Sequence, residues 1–136
     1  EISECLVGSE MCKETVIIAD LPCSGLGVIG KKCDIKYKTK REDIASLSKI
    51  QKEILKNVSR YLKKGGQLIY STCTIAKEEN EDNAEWILEN LPFEKADISK
   101  RMPEKLKKYM TDNSYIQILP DMAQTDGFFV AAFIKK

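Results

Sequence analysis

No histidine occurs among the 136 residues, and that absence excludes more chemistry than any residue present supplies. Without imidazole there is no Ser-His-Asp triad, no Cys-His nucleophile pair and no histidine metal site. The five cysteines, at 5, 12, 23, 33 and 73, are odd in number and contain no C-x-x-C pair. Neither a zinc ribbon nor a disulfide framework is therefore indicated, no metal site is expected, and free thiols in a reducing compartment are. No apolar run approaches the roughly 18 residues that a membrane helix needs, and Glu1-Ile2-Ser3-Glu4 is acidic where a signal peptide is basic. A cytoplasmic chain with no membrane partner is the expectation. Strong net charge is missing too: 22 basic against 21 acidic residues leave +1, so any footprint on a nucleic acid must be local.

What is present suits one folded domain. Hydrophobic residues make up 43% and charged ones 32%, which excludes a disordered or low-complexity chain. Two charge blocks stand out. Lys31, Lys32, Lys36, Lys38, Lys40 and Arg41 face a lone Asp34, with Tyr37 among them. Glu78, Glu79, Glu81, Asp82, Glu85 and Glu89 have no basic residue between them. Acids in the first turns of a helix are favoured by its dipole, so a solvated face is the reading for the second block. In the first, an aromatic among cations in a loop makes phosphate contact an alternative to a solvated face.

Periodicity orders the elements. Residues 1–14 are a lead-in without a firm assignment. Thr15–Ala19, β-branched and apolar, reads as a strand buried on both faces and stopped at Pro22. A Gly-rich stretch and the basic loop follow. Thr39-x-x-Glu42 then resembles a capping box, opening a helix whose stripe is Ile44, Leu47, Ile54, Leu55, Val58, Tyr61 and Leu62 and which Gly65-Gly66 ends. Gln67–Ser71 is a second strand, with Thr72-Cys73-Thr74 at its carboxyl end. An acidic helix spans about 77–91, burying Ala84, Ile87, Leu88 and Leu91, a short helix falls near 104–110, and 115–119 and 128–134 are strands. This succession predicts an α/β fold with a mostly parallel sheet and helices packed on it.

Gly25-x-Gly27-x-x-Gly30 matches a dinucleotide fingerprint, and Gly25 to Lys32 is one residue from a Walker A loop. Such loops need a helix N-terminus to follow at once, but the helical stripe begins only near Lys40, and position 32 is lysine rather than Ser or Thr. The glycines are better read as letting backbone pack closely beneath a substrate loop. Carboxyl ends of strands are where α/β sheets hold ligands. Two such ends carry Asp20-Leu-Pro-Cys23 and Ser71-Thr-Cys-Thr74, and buried cysteines are otherwise most often small core residues.

Asp20-Leu-Pro-Cys-Ser-Gly-Leu-Gly-Val-Ile-Gly30, Asp34-Ile-Lys-Tyr37, Tyr70-Ser-Thr-Cys-Thr74, Glu78-Glu-Asn-Glu81 and Asp126-Gly-Phe-Phe129 resemble, in order over about 15–136, successive motifs of RNA cytosine-5 methyltransferases. Within these the resemblance is to the bacterial Fmu/Sun group of ribosomal RNA small subunit enzymes. It implies the carboxyl half of a Rossmann-like, S-adenosylmethionine-dependent catalytic domain acting on ribosomal RNA in the cytoplasm. It also implies that Cys73 bonds to cytosine carbon 6, that Cys23 assists release, and that Asp20 holds a proton at ring nitrogen 3. Asp20 and Pro22 would touch S-adenosylmethionine, and Lys31, Lys32, Lys36 and Tyr37 would touch RNA. The family's Gly-rich cofactor loop, ribose acid and RNA-binding region find no counterpart here, so the chain is expected to be inactive alone. Its first strand would then lack a neighbour, and either self-association through that sheet edge or its occupation by residues 1–12 is expected. A noncatalytic RNA-binding or assembly module on the same fold is the alternative.

Overall fold

The computed structural model describes residues 14–120, 122 and 124–136. Residues 1–13 of the lead-in, and with them Cys5 and Cys12, lie outside these, while Glu14 belongs to the first strand. In chain order the strands are β1 (Glu14–Asp20), β2 (Leu62–Thr72), β3 (Phe93–Lys95), β4 (Met110–Asp112), β5 (Tyr115–Ile118) and β6 (Phe128–Lys135). The helices are α1 (Ile35–Lys38), α2 (Arg41–Tyr61), α3 (Glu81–Asn90) and α4 (Glu104–Lys107). The strands form one sheet ordered β1-β2-β6-β5-β4, with β3 also pairing to β6. β1 and β2 run parallel, and all the other described pairings are antiparallel. The mostly parallel sheet expected from the sequence is thus confined to that one pair. β4 and β5, with only two residues between them, can pair only as a hairpin, and β6 inserts antiparallel between β5 and β2.

Burial explains which face each element presents. Leu68 and Tyr70 of β2, with Phe129, Ala131 and Phe133 of β6, meet Leu55 of α2 and Ala84 and Ile87 of α3 in the apolar core. Tyr70 and Phe129 pack edge to face at 6.0 Å, a preferred geometry for aromatic pairs. Each fully buried side chain of this size contributes about 1.5–3 kcal/mol of transfer free energy. β1 departs from the expected strand buried on both faces. Ala19 is buried toward the helices, but Val16 and Ile18, which alternate with it, are 49% and 70% exposed. Among the described residues β1 is an edge strand with one bare apolar face.

Two helix boundaries also differ. The backbone N–H of Lys40 donates to Asp43 Oδ2 at 2.9 Å, so the reciprocal contact sits one residue beyond the Thr39/Glu42 pattern. α2 stops at Tyr61, before the glycines. Gly65 does adopt φ +76°, but inside β2, where the register with β1 shifts between Glu14↔Leu62 and Val16↔Gln67. Its left-handed conformation makes a bulge rather than a helix end.

Candidate active site

The carboxyl ends of the parallel pair lie side by side, with Asp20 opposite Ser71 in the register. The two cysteines that follow these strands therefore converge: Cys23 Sγ and Cys73 Sγ are 3.3 Å apart, hydrogen-bonding distance for a thiol pair. Both are half-buried, whereas Cys33 is exposed. Burial, reinforced by the hydrogen bond with Cys73, pushes the Cys23 thiol up to about 12. Cys23 is therefore a neutral S–H across the physiological range, able to donate toward the Cys73 sulfur. Asp20 is exposed, and its Oδ1 accepts from Ser71 Oγ at 3.2 Å.

Three loops, two of them bearing glycine, meet around these thiols. Gly27 N–H donates to the Cys73 carbonyl at 3.0 Å, and Gly127 N–H donates to the Gly27 carbonyl at 2.7 Å. A Cβ on Gly27 would collide with the Gly127 carbonyl oxygen and lie 2.6 Å from that of Cys73. Close backbone packing, not phosphate cradling, is what Gly27 provides. Gly27 sits in the middle of a single 3-10 turn, Leu26–Val28, too short to present a helix N-terminus to an anion.

The basic block is divided. Lys31 pairs with Asp126 at 2.8 Å, bridging its loop to the Asp126-Gly127 turn beside an open cleft of about 540 Å³ lined by Lys31, Gln124, Thr125 and Asp126. Lys38 pairs with Asp34 at 2.9 Å. Lys32 and Lys36 are exposed, and Lys36 Nζ lies 6.0 Å from the ring centre of Tyr37, itself 83% exposed. Lys32, Lys36 and Tyr37 are thus exposed, with no ion pair to Lys32 or Lys36 among the described residues, while Lys31 is held.

A buried polar cluster beneath the thiols escapes the sequence reading. The solvated face assigned to the acidic block fails at Glu79, which is fully buried with Asn80 and Asn83. Glu79 Oε1 accepts from Ser24 N–H at 2.9 Å and Gln51 Nε2 at 3.0 Å, and Oε2 accepts from Ser24 Oγ at 2.6 Å. Gln51 Nε2 also donates to the Pro22 carbonyl at 2.9 Å. Asn80 Nδ2 donates to the Thr74 carbonyl at 2.9 Å, and Asn80 Oδ1 accepts from Thr72 Oγ1 at 2.5 Å. The chain leaves helical order between the 3-10 turn Lys77–Glu79 and α3, with Asn80 at φ −108°, ψ −93°, and so turns these two side chains inward. Gln51 carries the one readable signal, a polar residue on the same stripe of α2 as Leu55 and Val58.

Comparison with known proteins accords with this geometry. A family model described as 16S rRNA methyltransferase RsmB/F matches residues 7–134. The "Probable ribosomal RNA small subunit methyltransferase B" of Bacillus subtilis is 43% identical over 122 residues, which are 88% of this chain and 27% of that protein. The ribosomal RNA small subunit methyltransferase B of Proteus mirabilis is 39% identical over 120 residues, 88% of this chain and 25% of that protein. The chain spans about a quarter of the length of these relatives. Among solved structures, PH0851 superposes with a TM-score of 0.79 at 31% identity, over 89% of this chain and 26% of its own. NSun6 from Pyrococcus horikoshii, solved with SFG, gives 0.69 at 27% identity over 88% and 29%. The α/β architecture is that of a Rossmann-like methyltransferase.

Proposed function

The chain belongs to the RsmB/F family of 16S rRNA methyltransferases, and from that premise we propose that it carries the two-thiol centre of an enzyme methylating carbon 5 of a ribosomal RNA cytosine. The observation that carries the reading is the 3.3 Å approach of Cys23 and Cys73 at two adjacent strand ends, beside Asp20. Cytosine carbon 5 is a weak nucleophile. Addition of the Cys73 thiolate to carbon 6 pushes electrons toward ring nitrogen 3 and leaves carbon 5 enamine-like. A proton held at nitrogen 3 by Asp20 offsets that charge. S-adenosylmethionine supplies an electrophilic methyl group to carbon 5. Carbon 5 then gives its proton to water, the carbon 5–hydrogen electron pair restores the 5,6 double bond, and the carbon 6–sulfur bond breaks, its electron pair returning to Cys73.

Cys23 acts through its protonated state in this scheme. Its S–H, 3.3 Å from the Cys73 sulfur, stabilises the thiolate as it departs, the moment at which negative charge returns to that atom. Asp20 and Pro22 suit the methyl donor. The exposed Asp20 carboxylate keeps acceptor capacity beyond Ser71 and shares its strand face with bare Val16 and Ile18, so a hydrogen-bond acceptor for an amine or hydroxyl adjoins an apolar surface. SFG, bound in the NSun6 structure, is an analogue of S-adenosylmethionine, which supports the same donor here. Lys32, Lys36 and Tyr37, with Lys31 at the bridge to Asp126, supply the RNA contacts. Spanning about a quarter of its relatives, the chain acts within a longer catalytic protein and is inactive by itself.

RNA containing 5-fluorocytosine tests the reading, because fluorine at carbon 5 cannot leave as a proton does and the adduct is trapped. The full-length protein with S-adenosylmethionine is expected to give a denaturation-resistant protein–RNA complex. Absence of the complex, with RNA binding retained, would replace this reading by the noncatalytic module.

A further inference from the structure

Two thiols on separate loops, fifty residues apart in sequence, meet at 3.3 Å only if both loops are held. Glu79 and Asn80, consecutive and fully buried, touch one loop each. The Glu79 carboxylate takes the N–H and hydroxyl of Ser24, immediately after Cys23. Asn80 takes Thr72 Oγ1 and the Thr74 carbonyl, the residues on either side of Cys73. Ser24 Oγ and Thr74 Oγ1, 2.6 Å apart, close the circuit between the loops. Behind them Gln51 joins Glu79 Oε1 to the Pro22 carbonyl, and Asn83 Nδ2 donates to Gln51 Oε1 at 2.7 Å, so the two gripping side chains are themselves fixed.

A carboxylate in this place has a chemical reason. Oε1 and Oε2 together accept from three donors belonging to Ser24 and Gln51, and the two oxygens of one side chain carry enough lone pairs to take all three at once. Asn80 has the complementary pattern, one donor and one acceptor directed at opposite flanks of Cys73.

We propose that Glu79 and Asn80 are positioning residues that set the separation and mutual orientation of Cys23 and Cys73. The proposal rests on the two-thiol reading of the site, but its test involves neither RNA nor methyl donor. Diamide, an azo oxidant, takes two electrons and two protons from a thiol pair to form a disulfide and a hydrazine. Its rate of coupling Cys23 to Cys73 in the intact protein, followed by peptide mapping, therefore reports their juxtaposition, and the urea midpoint of each variant serves as the control for general unfolding.

Ser24→Ala, which cuts both the Glu79 Oε2 and Thr74 links while leaving little void, is expected to slow coupling about tenfold, since small misplacements of paired reactive groups cost rates of this order or more. Glu79→Ala and Asn80→Ala are expected to slow it at least as much, and Ser24→Ala decides if either fails to fold. Glu79→Gln should stay near the native rate, because its amide can donate to Ser24 Oγ while that hydroxyl donates to Thr74. Native coupling rates in Ser24→Ala would overturn the proposal. So would a Glu79→Gln rate as low as that of Ser24→Ala, because a side chain of the same shape would have failed to hold the loop. Loss of RNA adduct formation with normal thiol coupling would instead overturn the methylation reading alone.

Discussion

Cys23 and Cys73 face each other across 3.3 Å, Cys73 proposed to attack and Cys23, its thiol pushed up by burial, to assist release. That asymmetry predicts opposite outcomes for their removal. Cys73→Ala eliminates the bond to carbon 6, and both adduct and product should fall by about a thousandfold or more. Cys23→Ala leaves attack and methyl transfer possible but removes the donor that stabilises the departing sulfur. A covalent complex on unmodified cytosine RNA should then accumulate, visible as a denaturation-resistant gel shift and lost in the double variant. An adduct trapped by Cys73→Ala and lost in Cys23→Ala would exchange the two roles.

The same asymmetry should appear in stability at high pH. The folded Cys23 value, about 12, lies above its ordinary 9.0, so between these limits the unfolded chain releases a proton that the folded one retains. Stability from this group is complete below about pH 9 and is lost as pH rises toward 12. Tyr70, also raised by burial, acts in the same direction but is common to wild type and variant. Urea midpoints measured from pH 8.5 to 11 should therefore decline more steeply in the wild type than in Cys23→Ser. Equal slopes would show that the thiol is not held protonated by the fold.

The division of the basic block makes a prediction for RNA binding. Replacing Lys32 or Lys36 by glutamine should reduce the slope of log K against log salt by about 0.7–1 each, because each frees counterions from one phosphate contact. Lys31→Gln should change it less, since Asp126 already competes for that ammonium. Tyr37→Ala should cost about 1–3 kcal/mol if a base stacks on the exposed ring. Unchanged slopes for Lys32 and Lys36 would make the block a solvated face.

The bare side of β1 bears on association. Val16 and Ile18 present an apolar strip on an edge strand, and such edges invite pairing with another chain. The isolated chain is expected to self-associate in sedimentation at micromolar concentration, and Ile18→Lys to reduce that association. A wild-type monomer under those conditions would contradict it.

Elements and strand-end motifs were legible where one physical preference dominated. The β-branched run before Asp20, the period of α2 and the late strands at 115 and 128 declare themselves because burial on one face leaves a pattern. The pairing of Cys23 with Cys73 was legible only through their place at strand ends and the family motifs, since nothing in composition brings residues fifty apart together. Glu79 was misread because in sequence it belongs to an acidic run, and only the irregular backbone at Asn80 turns it inward. The exposed face of β1 was misread for a related reason. An apolar run states what a strand prefers to bury, and which neighbours are present decides whether it does.

Gly27 and Gly30 belong to one motif but should respond oppositely to alanine. At Gly27 the added Cβ meets backbone, the carbonyls of Gly127 and Cys73, and relief requires breaking the 3.0 Å and 2.7 Å hydrogen bonds that join the three site loops. Overpacking against backbone of this kind costs about 1–3 kcal/mol or more, and the shift falls directly on Cys73. Gly27→Ala should therefore lower the urea midpoint and also slow adduct formation beyond what the fraction unfolded explains. At Gly30 no atom of the described residues beyond its chain neighbours lies within 4 Å of the added Cβ, and φ is not positive. Gly30→Ala should leave adduct formation intact and raise stability by about 0.4–1 kcal/mol, through lower entropy of the unfolded chain. Paired denaturation and adduct measurements on the two variants check this. Similar losses at both positions would mean that Gly30 is constrained by a contact made only when RNA or the methyl donor is bound.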